Sequence, residues 1–199
     1  MKIVVVGGGA IGSSTAMFLR RRLPSASVTV VERDCSYAKA SSALSASSIR
    51  QQFSAPCNIQ LSLFGLEYLR QPRVTEAVQF REGGYLYLAS TDEGTQVLKE
   101  NQALQTSMGA DIRFLDSAAS IKKAFPHINV DDLKAGSLGV TGEGWFDGFS
   151  LLKHLREEAI KEGAIFCKGE VNKLNCHDNK VTSVSYKPSE GSDSAQQTL

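Results

Sequence analysis

The sequence predicts an α/β protein that opens on a parallel βαβ unit and is then interrupted by a mixed α+β region. Three observations carry this. The β-branched run Ile3-Val4-Val5-Val6 meets the glycine turn Gly7-Gly8-Gly9-Ala10-Ile11-Gly12 and then an apolar-striped segment running to Leu23. A second β-branched run, Val28-Thr29-Val30-Val31, ends on the acid Glu32. After Glu32 the strand–helix alternation breaks, and short strands mix with helices instead.

Strand, glycine turn, helix, strand and terminal acid form the fingerprint of a Rossmann-like dinucleotide-binding start. Gly7 takes the tight turn out of the strand, Gly9 admits a pyrophosphate close to the backbone, and Gly12 lets the helix sit against the sheet. The first turn of that helix, with Ala10 and Ile11, presents N–H groups and the positive end of its dipole to phosphate. Glu32 follows Gly12 by about twenty residues, where a carboxylate accepts ribose hydroxyls and repels a 2′-phosphate, disfavouring NADP. Arg33 beside it joins the candidate cofactor contacts. A structural glycine turn is the competing reading.

The 199 residues are enough for one or two domains with a core, and 42% hydrophobic and 22% charged content is ordinary for a globular chain. A formal charge of +1 gives no general reason to expect nucleic acid or membrane as a partner. Cys35, Cys57, Cys167 and Cys176 lack CxxC or metal-ligand spacing, which suggests free thiols in a reducing compartment and no metal. No apolar run reaches bilayer-spanning length, and the immediate opening strand leaves no room for a targeting peptide in the sequence as written.

In chain order, Ala10 to Arg22 reads as a helix with Ile11, Ala16, Phe18, Leu19 and Leu23 available for burial, closed by three arginines and stopped at Pro24. Asp34 to Ser48 is rich in serine and alanine: a cofactor-facing segment or a plain linker. Pro56 opens a helix to about Arg70, striped by Ile59, Leu63, Leu66 and Leu69. Val74 to Arg81 is a short helix or irregular. Gly83 to Ala89 reads as a strand whose aromatics pack a sheet rather than stack bases. Thr91 or Asp92 caps a helix to about Met108, Ile112 to Leu115 is a short strand, and Asp116 or Ser117 caps a helix to Phe125. Ser137 to Thr141 is a possible strand before a glycine-rich turn over 142–148. Phe149 to Glu162 is helical. Three strand-like runs, 164–167, 171–174 and 181–186, follow, the last pair forming a hairpin or small crossover sheet around Asp178-Asn179. The polar tail 187–199 has almost nothing to bury and is expected to be disordered.

Val4 to Leu19 with Glu32, the serine-rich run into Ser48-Ile49-Arg50-Gln51-Gln52-Phe53, Arg81-Glu82-Gly83-Gly84-Tyr85-Leu86 and Gly144-Trp145-Phe146-Asp147 occur in order. Together they resemble the FAD-dependent oxidoreductases of the D-amino-acid oxidase, sarcosine oxidase and dimethylglycine dehydrogenase superfamily, and within it the mitochondrial FAD-dependent oxidoreductase-domain proteins. The resemblance implies a Rossmann-like FAD-binding domain interrupted by part of a mixed α+β substrate-binding region and truncated at its C-terminus. It divides the chain into 1–80 (FAD-binding), 81–141 (substrate-binding), 142–186 (return to the FAD-binding domain) and the tail.

By the same resemblance Ser41, Ser42 and Ser48 lie along the cofactor, and the backbone of Val171 contacts adenine. Arg50 is the catalytic candidate near the flavin, holding a substrate carboxylate or stabilising negative charge on reduced flavin. A salt bridge at a helix start or a pyrophosphate contact is the alternative for Arg50. FAD is expected non-covalently, since no histidine occurs in 36–53 and no cysteine fits a family-type attachment. The implied reaction is oxidation of a C–N bond in an amino acid or an N-methylated or secondary amine by hydride transfer to flavin, followed by hydrolysis of the imine.

The family's location implies a mitochondrial protein, and a cytoplasmic one otherwise. His127, His154 and His177 pair with no visible nucleophile. Members of the family are longer than this chain, so a second reading stands beside the enzyme: a truncated, non-catalytic interaction or assembly protein, associating through an incomplete sheet. A stand-alone NAD-dependent dehydrogenase would require an acid–base cluster that the sequence does not offer.

Overall fold

A computed structural model describes residues 1–188 and 197–199, which divide into two compact units: Met1–Ser45 with Gly148–Leu199, and Ala46–Asp147. The compact units part after residues 45 and 147, and residues 46–80 share the second unit with the strands that follow them.

In the first unit, β1 (Lys2–Val6) and β2 (Ser27–Glu32) pair in parallel from Lys2↔Ser27 to Val6↔Val31, bridged by α1 (Ala10–Arg22). After the inserted unit, α6 (Gly148–Lys161) leads into β8 (Ile165–His177), which adds to β2 in parallel. β9 (Lys180–Pro188) and β10 (Gln197–Thr198) extend the sheet antiparallel, giving the order β1-β2-β8-β9-β10. Ala16 and Met17 of α1, Val28, Val30 and Val31 of β2, and Leu152, Leu155 and Ala159 of α6 form its core. Each such aliphatic burial contributes about 1.5–3 kcal/mol for a large side chain. Arg20 donates to the carbonyls of Glu162, Pro24 and Ala26, while Arg21 pairs with Glu158 and Glu162. The arginine cluster thus ties the end of α1 to the end of α6, beyond complementing a helix dipole.

Three expectations need correction here. Ile11 is 83% exposed, because Ser13 takes the inward position and its Oγ donates to the Gly8 carbonyl at 2.7 Å. The runs at 164–167 and 171–174 are one continuous strand, β8, bent by irregularities between Val171 and Lys173 and between Asn175 and Cys176. Within the expected tail, Lys187 and Pro188 complete β9 and residues 197–199 pair with it; residues 189–196 lie outside the described residues. The hairpin around Asp178-Asn179 is present, both residues having positive φ (49° and 58°), the geometry of a tight two-residue turn.

The second unit holds β3 (Ser48–Ile49), α2 (Pro56–Leu69), α3 (Pro72–Val78), β4 (Tyr85–Ala89), α4 (Asp92–Ser107), β5 (Ile112–Leu115), α5 (Ala118–Ala124), β6 (Ala135–Gly139) and β7 (Gly144–Trp145). Its antiparallel sheet runs β4-β6-β5, and β3 pairs with β7. Thr91 caps α4 by accepting from the Gly94 N–H, and Ser117 with Ser120 forms a capping box on α5.

Candidate functional site

The glycine turn closes as its chemistry requires. Gly7 has φ +92°, and its N–H donates to the Val31 carbonyl, locking the end of β1 to β2. A Cβ on Gly12 would stand 1.8 Å from the Gly7 carbonyl oxygen, whereas one on Gly9 would meet nothing within 4 Å. Gly12 is therefore needed for packing, and Gly9 faces open space. The first helical bond is Ser13 N–H to the Gly9 carbonyl, which leaves the N–H groups of Ala10, Ile11 and Gly12 outside the helix ladder. Gly9 caps α1 without a side chain, and no acid sits in the first turn to compete for an anion.

Opposite stands Glu32. Its two carboxylate oxygens accept the Gly8 N–H at 2.7 Å and the Asp34 N–H at 2.8 Å. Each oxygen keeps a further lone pair for a hydroxyl donor. Between them lies a cavity of about 830 Å³ lined by Gly7, Gly9, Glu32, Arg33, Ser41 and Val171, with Asp34, Tyr37 and Lys39. Arg33 is largely exposed and faces Glu170 at 3.7 Å. Val171 precedes the irregularity at Asn172 that interrupts pairing with β9.

The serine-rich stretch is built of successive turns: Tyr37 N–H to Asp34, Ala40 N–H to Tyr37, and Ala43 N–H to Ala40. Tyr37 anchors it, buried at 7% exposure in a left-handed conformation, and a Cβ on Gly8 would come within 3.1 Å of its hydroxyl. Burial pushes the Tyr37 phenol up, against the opposing pull of Arg156. A buried aromatic anchor argues against a plain linker. The Ser42 Oγ is buried without a hydrogen-bond partner among the described residues, a donor available to a bound group.

Ser48 and Arg50 belong to the second unit. Ser48 sits on β3, in register with Trp145 of β7. The Arg50 guanidinium lies 4.8 Å from the Phe53 ring and 5.9 Å from the Tyr85 ring, and its Nε is buried with no hydrogen-bond partner among the described residues. The rings favour the cation electrostatically. The salt-bridge alternative for Arg50 is not realised among the described residues. Close by, the fully buried Glu143 accepts the N–H groups of Gln51 (2.6 Å) and Gln52 (3.1 Å) and the Gln52 side-chain amide (2.8 Å). Burial pushes its carboxyl up, opposed by those hydrogen bonds and by Arg50.

This βαβ geometry is matched by family. Residues 2–197 fit the DAO family model, described as FAD dependent oxidoreductase. The chain belongs to the FAD-dependent oxidoreductase family. It is 42% identical over 183 residues to the FAD-dependent oxidoreductase domain-containing protein 1 of Bos taurus, covering 86% of this chain and 37% of that protein. Among solved structures it is similar to L-proline dehydrogenase from P. horikoshii, with 26% identity and a TM-score of 0.79 over 93% of this chain and 48% of that one. The L-alpha-glycerophosphate oxidase from Mycoplasma pneumoniae with FAD bound shares the fold at 19% identity and a TM-score of 0.73, over 96% and 50% of the two chains. The chain thus spans about 37% of the length of the curated relative and about half of these structures.

The family's cofactor fits the residues present. An open approach at Gly9, free helix-end donors, an acid with spare acceptor capacity and an orphaned Ser42 hydroxyl are what a dinucleotide requires. Within the first unit, Gly7, Gly9, Glu32, Arg33, Ser41 and Val171 line one cavity, and Ala10, Ile11 and Gly12 form the adjoining helix start. Ser42 follows Ser41 on the same turn segment, while Ser48 and Arg50 lie in the other unit. Sequence reasoning missed Tyr37, Lys39 and Glu143. A lone aromatic in a serine-rich stretch was a signal for Tyr37; a surface-type acid among glycines gave none for Glu143. No group of three or more potential metal ligands occurs among the described residues, and no helix is long and apolar enough to cross a membrane.

Proposed function

We propose that this chain is the N-terminal part of an FAD-dependent enzyme that oxidises a C–N bond of an amino acid or of an N-methylated or secondary amine. The observation that carries the reading is the open Gly9 approach and uncapped α1 start facing Glu32 across one cavity. The N–H groups of Ala10, Ile11 and Gly12 take the pyrophosphate, and Glu32, with Arg33 beside it, takes the adenosine ribose. Val171 offers its backbone to adenine, and Ser41, Ser42 and Ser48 follow the cofactor. When bound, FAD would supply the two-electron acceptor for a hydride from the carbon next to nitrogen, leaving an imine open to hydrolysis.

Binding is non-covalent in this reading. Arg50 meets the substrate carboxylate or negative charge on the reduced cofactor, since a guanidinium over aromatic rings with no ion-pair partner among the described residues keeps its fork for an incoming anion. The substrate is a small amine or amino acid. The compartment proposed is mitochondrial, which subcellular fractionation with an antibody to this chain would check.

The test is an absorbance scan with intact mass after incubation with FAD and desalting. Retained flavin bands at about 450 nm without added covalent mass support the reading; a soluble, monodisperse chain that retains no flavin overturns it for this chain alone. A second reading is favoured by β1, which among the described residues pairs only with β2 and ends in the 57%-exposed Val6. Such an edge can recruit another strand, so self-association would appear as a concentration-dependent mass in light scattering.

A further inference from the structure

We propose that Glu143 is the positioning residue of Arg50, holding it through the main chain rather than by a direct ion pair to its guanidinium. This deepens the assignment of Arg50 as an anion anchor and rests on it. The tripeptide Glu143-Gly144-Trp145 grips the Arg50 segment from both sides. Upstream, β7 pairs with β3 at Ser48↔Trp145 and Ile49↔Gly144. Downstream, the Glu143 carboxylate gathers the consecutive N–H groups of Gln51 and Gln52 on one oxygen and the Gln52 side-chain amide on the other. Arg50 lies between the two grips, and its own carbonyl accepts from Ser62 Oγ.

A buried carboxylate is costly unless fully hydrogen-bonded, and this one has been given the room and the donors. A Cβ on Gly139 would stand 1.8 Å from Glu143 Oε2, and one on Gly144 would stand 2.0 Å from the Arg81 carbonyl. Ser137 Oγ donates to Gln52 Oε1, fixing which end of that amide faces Glu143. The Gln52 amide also donates to the Tyr85 carbonyl, whose ring faces Arg50. A surface-type acid has therefore been buried where it organises backbone. A direct Glu143–Arg50 ion pair would occupy the guanidinium fork. Gripping the neighbouring amides instead places the arginine and keeps its hydrogen-bonding edge for a ligand.

The decisive variant is Glu143→Gln in the full 199-residue chain, compared by hydrogen exchange resolved to peptides and by phenylglyoxal labelling of Arg50 read by mass spectrometry. The amide oxygen can serve only part of the donor set, so exchange at Gln51 and Gln52 should accelerate about tenfold. Arg50 labelling should change severalfold, while a β2 peptide in the other unit stays as in wild type. Arg50→Met should leave the Gln51 and Gln52 protection intact, because the grip does not run through the guanidinium.

Wild-type exchange and wild-type labelling in Glu143→Gln would overturn the proposal. Should that variant not fold, Glu143→Asp, which keeps the charge but shortens its reach to the Gln51 and Gln52 N–H groups, gives the same comparison. Faster exchange at 51–52 with β2 unchanged supports the proposal, whereas wild-type exchange overturns it. Protection of Arg50 from phenylglyoxal by acetate tests the anion reading separately. A labelling change in Glu143→Gln without acetate protection would leave the positioning role standing and remove the anion role.

Discussion

At the scale of single residues, Gly12 and Glu32 make opposite kinds of demand. Gly12 is a matter of space: any Cβ there would lie 1.8 Å from the Gly7 carbonyl oxygen, and neither atom belongs to a flexible side chain. Gly12→Ala must shift α1 off the turn, costing about 1–3 kcal/mol or more, read as a lower Tm and loss of flavin retention together. Gly9→Ala leaves packing undisturbed, because its Cβ meets nothing, so stability should hold while binding falls. Glu32 is a matter of lone pairs. It already serves the Gly8 and Asp34 N–H groups, so Glu32→Ala strands two partly buried donors, at about 1–3 kcal/mol. Glu32→Gln keeps the shape and one acceptor oxygen. It should weaken FAD binding tenfold or more in a fluorescence titration, with a smaller loss of Tm than the alanine variant. Equal binding by Glu32→Gln and wild type would remove this residue from the adenosine site.

At the scale of elements, legibility followed how local the determining physics is. The first helix, the cap at Thr91, the proline start at Pro56 and the hairpin at Asp178-Asn179 are all set within a few residues, and all lie where the sequence points. The glycine turn, the helix start and Glu32 were legible for the same reason, since they occupy one βαβ unit. The merging of two runs into β8 was not, because a strand continues through an irregularity only when β2 and β9 are both there to pair with it. The pairing of 197–199 with β9 and the buried Glu143 are likewise products of distant partners. The hairpin offers a test at this scale. With φ of 58° at Asn179, Asn179→Val forces a β-branched residue into the left-handed region and should cost about 1–2 kcal/mol, whereas Asn179→Gly should be neutral or slightly stabilising. Equal losses of Tm from the two changes would mean that the turn conformation does not limit the hairpin.

For the molecule as a whole, two glutamates in the second unit should pull its stability in opposite directions with pH. Glu82 accepts both arms of Arg70, at 2.7 and 2.8 Å, and the Gly142 N–H at 2.5 Å, and the arginine holds its carboxyl below the usual range. A carboxyl depressed by folding contributes stability that is present above its unfolded pKa of about 4.5 and lost as pH falls toward its folded value. Because Arg70 is 46% and Glu82 29% exposed, solvent screening limits this to about 1 kcal/mol. Glu143 has the reverse sign. Burial raises its carboxyl, so the folded state binds the proton more tightly, and its contribution declines as pH rises from 4.5 toward the raised value. Removing Glu82 with Glu82→Gln should therefore cost stability at pH 7 and little at pH 3. Glu143→Gln abolishes a descending contribution, so its deficit against wild type should be larger at pH 4 than at pH 7. Tm measured across pH 3–7 for the two variants should give difference curves of opposite slope. Parallel curves would mean that one of the two carboxyls is not shifted as its surroundings dictate.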